Sequence, residues 1–241
     1  MKLHNNTIRG VHTALEAIFE QGQYADKVIE RTLKSNPKWG AKDRSFIAET
    51  TYEMVRWWRL VNFLSPSKDP WDLFGTYWLM QGNELPSWDE FARLQPEKIK
   101  SKYDSITDPG LLESIPAWLQ TLGSQELGEK WEAEIHALNE EAEVVLRVNT
   151  LKTTRERLKN LLEADGIRSY LVKGYPDALV LEERQNVFRH PSFKEGLFEV
   201  QDASSQLVAA ALQVAPGMRV IDACAGAGGK SLHLAALMGN K

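Results

Sequence analysis

The hydrophobic positions of this chain change their period once, near residue 144. Before that point apolar residues recur every three or four positions, the spacing of one helix face. Ile8, Val11, Leu15, Ile18 and Phe19 form a first stripe that Gly22 ends. Tyr24, Val28, Ile29 and Leu33 form a second, ended near Asn36-Pro37. Phe46, Ile47, Thr50, Met54, Trp57, Trp58, Val61 and Leu64 predict one long third helix, capped by Asp43 and closed before Pro66. Asp69-Pro70 supplies a cap and a first-turn proline for a helix over 71–81, and Gly82 closes it. Ser87 and Glu90 have capping-box spacing and predict a short helix. Pro116 opens another that Gly123 is expected to stop, and Ser124 begins the next, through Trp131, Ile135 and Leu138.

After residue 144 the pattern becomes βαββ. Val144–Val148 is strand-like, and Thr153 or Thr154 caps a helix carrying Leu158, Leu161 and Leu162, which Gly166 stops. Strands over 170–172 and 178–181 flank a turn at 174–177. Leu197–Val200 then leads to a helix from Asp202, with Leu207, Val208, Ala211 and Leu212 as its expected buried face. In the last stretch, Val220 and Ile221 predict a strand over 218–223, buried on both faces. Cys224–Gly229 is a tight loop of small residues, followed by a helix carrying Leu232, Ala235, Ala236 and Leu237. The predicted fold class is α+β multidomain: helices over 1–140, a small α/β subdomain over 141–200, and the beginning of a larger α/β domain over 201–241.

Charge sharpens this picture more than composition does. The net charge of −4 is unevenly spread: residues 84–143 hold fourteen acids against five bases, whereas residues 147–173 hold seven bases against three acids. A phosphate partner needs local positive surface, not a positive total. Five of the eight tryptophans fall between residues 57 and 88 at helical spacing, which points to core packing before base stacking. The single cysteine excludes an internal disulfide. The five histidines show no metal-ligand spacing, so no metal is expected. No run has signal-peptide or membrane-span length, so no membrane partner is expected and the cytoplasm is the expected location.

Strand, glycine loop and helix is how an α/β sheet cradles an anionic group, because small residues admit a close backbone and the helix N-terminus offers unpaired N–H groups. Two templates fit Asp222-Ala-Cys-Ala-Gly-Ala-Gly-Gly-Lys-Ser231. Gly229-Lys230-Ser231 is the second half of a phosphate loop, with Cys224 where its first glycine belongs. Asp222, Gly226 and Gly228 match a nucleoside loop, again with Cys224 replacing a glycine. The glycines alone leave both open.

Two further stretches bear on the choice. Val200-Gln-Asp-Ala-Ser-Ser-Gln-Leu207 precedes the loop, and Leu146-Arg-Val-Asn-Thr-Leu-Lys152 lies further back. With the loop, and in this order, they resemble the signatures of the RNA cytosine-C5 methyltransferases of the Sun/NOP/RsmB type. Ala25–Leu33 followed by Lys42–Glu49 resembles the NusB-like helical domain of bacterial members, and residues 201–241 are then the start of a Rossmann-like class I methyltransferase domain. The resemblance implies S-adenosyl-L-methionine as cofactor, held by Cys224, Ala225, Gly226, Ala227, Gly228, Gly229 and Lys230. It implies an RNA substrate, ribosomal or transfer, with Arg147, Asn149, Lys152, Lys42 and Arg44 as candidate contacts. Asp222 either closes the turn or meets the cofactor amine.

Members of this family add a cysteine thiolate to C6 of cytosine so that C5 can accept a methyl group. The resemblance places both family cysteines beyond Lys241, so the chain is read as the N-terminal part, with no catalytic residue of its own and inactive alone. Cys224 sits in a cofactor position and is not assigned as nucleophile. Residues after about 215 are expected to be poorly ordered in an isolated monomer or to associate with another chain through the incomplete sheet, and cofactor affinity is expected to be weak. A non-catalytic RNA- or protein-binding module is the second reading, and a phosphate-loop nucleotide hydrolase the third.

Overall fold

The computed structural model describes residues 3–241. The chain forms two compact units, residues 1–140 and 141–241.

The first unit is helical. Its elements are α1 (Asn5–Phe19), α2 (Ala25–Ser35), α3 (Ala41–Arg56), α4 (Trp58–Leu64), α5 (Pro70–Met80), α6 (Pro96–Asp104), α7 (Pro109–Leu112), α8 (Ala117–Leu127) and α9 (Trp131–Asn139). Most stripe positions point inward, and Ile8, Val11, Ile47, Met54 and Val61 are fully buried, joined by Leu60 and Phe74; Phe19, Tyr24 and Leu138, expected on the same faces, are exposed, Tyr24 at 84%. Trp57, Trp58, Trp71, Trp78 and Trp88 all pack against this core. Asp69 caps α5 by accepting the Trp71 N–H at 2.9 Å, as its position before Pro70 predicts.

Four boundaries differ from expectation. The third helix starts at Ala41 after Gly40, and Asp43 lies in its first turn, where its carboxylate accepts the Gly40 N–H at 2.9 Å. The long third helix breaks at Trp57, whose ψ of 14° leaves the helical range. Beyond the break, Trp58 stacks on Phe19 with ring centroids 4.0 Å apart. Ser87 and Glu90 form no capping box; the segment holds only a single 3₁₀ turn over Asp89–Phe91. Gly123 does not stop its helix: α8 runs through it to Leu127 and ends at Gly128, which has φ +55°. What Gly123 supplies is room. The Trp131 ring lies so close that a Cβ at residue 123 would fall 2.3 Å from it.

The second unit is α+β. It contains β1 (Val145–Val148), α10 (Arg155–Ala164), β2 (Ser169–Leu171), β3 (Ala178–Leu181), α11 (Pro191–Lys194), β4 (Phe198–Val200), α12 (Ala203–Ala211) and α13 (Gly229–Leu237). The four strands form one antiparallel sheet in the order β2-β3-β1-β4, with Leu146 opposite Leu179 on one side and Val200 on the other. Alternation along the strands divides its side chains between two faces. Leu146, Val148, Leu179, Leu181 and Phe198 pack with Leu158 and Leu162 of α10. Val145, Ala178 and Val180 face the other way, toward Ala203 of α12. Both faces are covered, which is why β1 is buried at all four positions.

The strand expected over 218–223 does not form, and the Rossmann-like start is not built as a strand here. Ile221 is 92% exposed and Val220 40%. A strand is stable only where a neighbour takes up its backbone N–H and C=O groups, and among the described residues no strand lies alongside. The helix faces shift for a related reason. α12 buries Gln206 and Ala209 and leaves Leu207, Val208 and Leu212 exposed; α13 buries His233 and Leu234 and leaves Leu232 and Leu237 partly exposed. Among the described residues no helix is long and apolar enough to cross a membrane.

The Gly123 contact gives a direct test. Gly123→Ala should raise helix propensity by ~1 kcal/mol yet force the Trp131 ring aside, an overpacking cost of about 1–3 kcal/mol. Urea denaturation should show a lower midpoint for the variant.

Candidate functional site

The three sequence signatures meet at one side chain. Period-two alternation puts Arg147 on the same face of β1 as Val145, under α12 and α13, and it is only 3% exposed. Its guanidinium donates to the Gln201 Oε1 at 2.6 Å and to the carbonyl oxygen of Gly229. Gln201 belongs to the stretch leading into α12, and Gly229 is the first residue of α13. Burial lowers the Arg147 pKa, and the nearby carboxylates of Glu199 and Asp177 oppose that shift.

Gln201 is itself fixed. Its backbone N–H donates to the Val145 carbonyl at 3.0 Å, and its own carbonyl accepts from Gln206 Nε2 at 3.0 Å. Asp202 caps α12 by accepting the Ser205 N–H at 3.2 Å. The Ser204 hydroxyl, with backbone N–H groups of Ser205, Ser204 and Ala203, holds the Asp202 carboxyl below the usual carboxylate range. On α13, the buried His233 places Nε2 3.2 Å from Asp177 Oδ2, tying this helix to the turn before β3.

The glycine loop runs from Asp222 into α13. Asp222 closes it from both ends: Oδ1 accepts the Cys224 N–H at 3.2 Å and Oδ2 accepts the Ser231 hydroxyl at 2.7 Å. Gly228 donates its N–H to the Ala225 carbonyl at 2.8 Å. Gly226 and Gly228 have φ of +54° and +85°, backbone that residues with a Cβ adopt only with strain. Nothing lies within 4 Å of a Cβ placed at Gly228, so conformation, not crowding, requires the glycine there. Cys224, Ala225, Gly226, Ala227 and Lys230 are exposed, whereas Gly228 and Gly229 are half-buried. A cavity of about 340 Å³ lined by Val220, Asp222, Ser231, Leu234 and Met238 lies on the other side of this turn, and none of Cys224–Lys230 lines it.

The candidate RNA contacts are divided between the two units. Arg147 is withdrawn from solvent into the loop brace. Asn149 donates to the Gly196 carbonyl at 2.8 Å and accepts the Leu151 N–H, holding the turn after β1. Lys152 is exposed, with its Nζ 2.7 Å from the Glu195 carbonyl. In the helical unit, Arg44 closes the C-terminal end of α2, donating to the carbonyls of Leu33, Trp39 and Asn36. Lys42 is exposed on the first turn of α3. Sequence reasoning passed over Gln201, Gln206 and His233. Gln201 and Gln206 both stand in the 200–207 signature, but no periodicity marks a buried amide or imidazole.

Residues 115–188 match the family of RsmF/B-like methyltransferases, in its ferredoxin-like domain. The ribosomal RNA small subunit methyltransferase B of Pseudomonas syringae pv. tomato is 39% identical over 127 residues, which are 53% of this chain and 28% of that protein. A probable ribosomal RNA small subunit methyltransferase B of Synechocystis is 30% identical over 270 aligned positions, covering 94% of this chain and 60% of its own length. The chain therefore spans less than two thirds of these relatives. A methyltransferase homolog protein from Pyrococcus horikoshii, solved by crystallography, superposes on 56% of this chain and 44% of its own, with a TM-score of 0.51 and 30% identity. The crystal structure of PH0851 superposes on 100% of this chain and 62% of its own, with a TM-score of 0.66; at 22% identity it is a likeness of fold.

Arg147→Met keeps the length and burial of the side chain but leaves Gln201 Oε1 and the Gly229 carbonyl without their donor. Each such loss typically costs about 1–3 kcal/mol, partly offset by no longer burying a charge. Amide exchange over the first turn of α13 should accelerate in this variant while exchange in α10 stays unchanged; equal acceleration in both would refute the bracing role.

Proposed function

Since the chain belongs to the Sun/NOP/RsmB type of RNA methyltransferases, we propose that its residues carry the RNA-holding part and the opening of the methyl-donor site of an S-adenosylmethionine-dependent cytosine-C5 methyltransferase. Ribosomal RNA is the substrate we favour over transfer RNA, because the named relatives are ribosomal RNA methyltransferases. The observation that carries the reading is the Arg147 bridge, which joins all three signature stretches at the glycine loop.

The loop fits the cofactor. Gly226 and Gly228 adopt positive φ, the residues from Cys224 to Ala227 are exposed, and α13 begins directly after Gly228. The first-turn N–H groups of α13 suit an anionic group such as a methionine carboxylate. S-adenosylmethionine supplies an electrophilic methyl group when bound. The chain's own part is to hold the loop: Asp222 ties its two ends together, and Arg147, itself held by Gln201, donates to the Gly229 carbonyl. Asp222 spends both carboxylate oxygens on this closure, so we assign it the structural role.

Methyl transfer to C5 requires a thiolate addition at C6. The chain's one cysteine, Cys224, belongs to the cofactor loop, so we propose that these 241 residues bind without catalysing. That is also the observation that favours the second reading, a binding module. The phosphate-loop reading is weakest, since Cys224 stands where the first glycine of such a loop belongs and the two upstream signatures accompany the loop.

Lys42 and Lys152, the exposed members of the candidate set, are our proposed phosphate contacts. Lys42→Glu should weaken binding to an rRNA hairpin and lower the slope of log K against log salt by about 1; an unchanged slope would remove Lys42 from the interface. Calorimetric titration of the 241-residue chain should give heat with S-adenosylmethionine and none with ATP. The reverse pattern would overturn the methyl-donor reading, and silence with both would favour the binding module.

A further inference from the structure

The helical unit contains a cavity of about 1240 Å³, somewhat above the upper end of the range for small-molecule pockets. Its walls are the junction of α3 and α4, the C-terminal end of α5, helix α6 and the C-terminal end of α9. The lining is divided by polarity. Trp57, Leu60, Leu79, Met80 and Ile99 supply an apolar lining, while Glu84, Glu97, Asp104 and Glu140 are exposed acids around it. Glu113 lies deeper, its carboxylate held by His136 Nδ1 at 2.8 Å and Asn139 Nδ2 at 2.7 Å. Lys100 is the one lysine among the lining residues, and arginine is absent.

The C-terminus of α5, at Leu79–Met80, adds partial negative charge from its terminal carbonyl groups; that of α9 is met by Arg56, which donates to the Leu138 carbonyl at 3.2 Å. Tyr103 and Trp57 are the aromatic members of the lining. Such a surface repels phosphates. Its volume and apolar lining are also too large for a lone metal ion or ammonium group. A peptide that alternates apolar anchors with lysine or arginine at helical spacing would satisfy both the lining and the rim.

We propose that this cavity is a docking site for a basic amphipathic peptide segment of a partner protein, separate from any RNA-binding surface. The site depends only on the helical unit and stands whether or not the glycine loop binds a methyl donor. The acidic rim sets its sign preference, and the apolar lining sets the need for large anchors.

The test is fluorescence anisotropy of the 241-residue chain with a labelled peptide of about 15 residues, four turns of helix, built of leucine and lysine at amphipathic spacing. A rim variant, Glu84→Gln with Glu97→Gln and Asp104→Asn, should weaken binding by roughly tenfold, as the loss of several partly screened charge contacts implies. A control of equal charge change away from the cavity, Glu126→Gln with Glu129→Gln and Glu132→Gln, should change affinity by less than about twofold by the same reckoning. Thermal melts should show both variants folded. Equal effects of the two variants would reduce the interaction to generic charge attraction and overturn the site. So would no binding of the peptide, equal binding of a peptide with glutamate in place of lysine, or displacement of the peptide by an rRNA hairpin.

Discussion

A buried guanidinium governs the second unit. Arginine cannot shed its charge inside a protein, so Arg147 at 3% exposure must be met by fixed acceptors. Gln201 Oε1 and the Gly229 carbonyl meet it. Those acceptors come from the stretch before α12 and from the first residue of α13, so satisfying one charge on β1 fixes the positions of two later segments. The glycine loop gains a defined exit in this way, although no strand supports its entry. The cost of burying a charge is offset by specificity of arrangement, because no other register of β1 would place an arginine under α13.

The same unit shows how a sheet edge and a sheet face impose different demands. Where strands have neighbours, as in β2-β3-β1-β4, a four-residue run such as Ala178–Leu181 forms a fully buried strand. Val220 and Ile221 have equal β-propensity and no neighbour, and they remain in a loop. Propensity is a weak force beside the requirement that backbone polar groups find partners.

In the helical unit the corresponding constraint is close approach. Gly123 lets the Trp131 ring lie against α8, and Trp131 Nε1 donates to Gln120 Oε1 at 2.8 Å on the same helix. Charge in this unit is spent unevenly. Arg44 serves the end of α2, while the acids of residues 84–143 gather partly around an apolar cavity. That rim gathers carboxylates, whereas Lys42 stands exposed on the first turn of α3.

The sequence by itself determined most of the helical stripes, the α5 cap at Asp69, the βαββ run and the three signature stretches in order. All of these depend on neighbours within a few positions, where spacing and side-chain chemistry act directly. Tertiary structure decided which face of α12 and α13 is covered, that Gly123 makes room where a helix stop was expected, and that Arg147 turns inward to brace a loop eighty-two positions away. These outcomes rest on partners distant in the chain. Local pattern carries no record of them, because burial and hydrogen-bond satisfaction are settled only when separate elements meet.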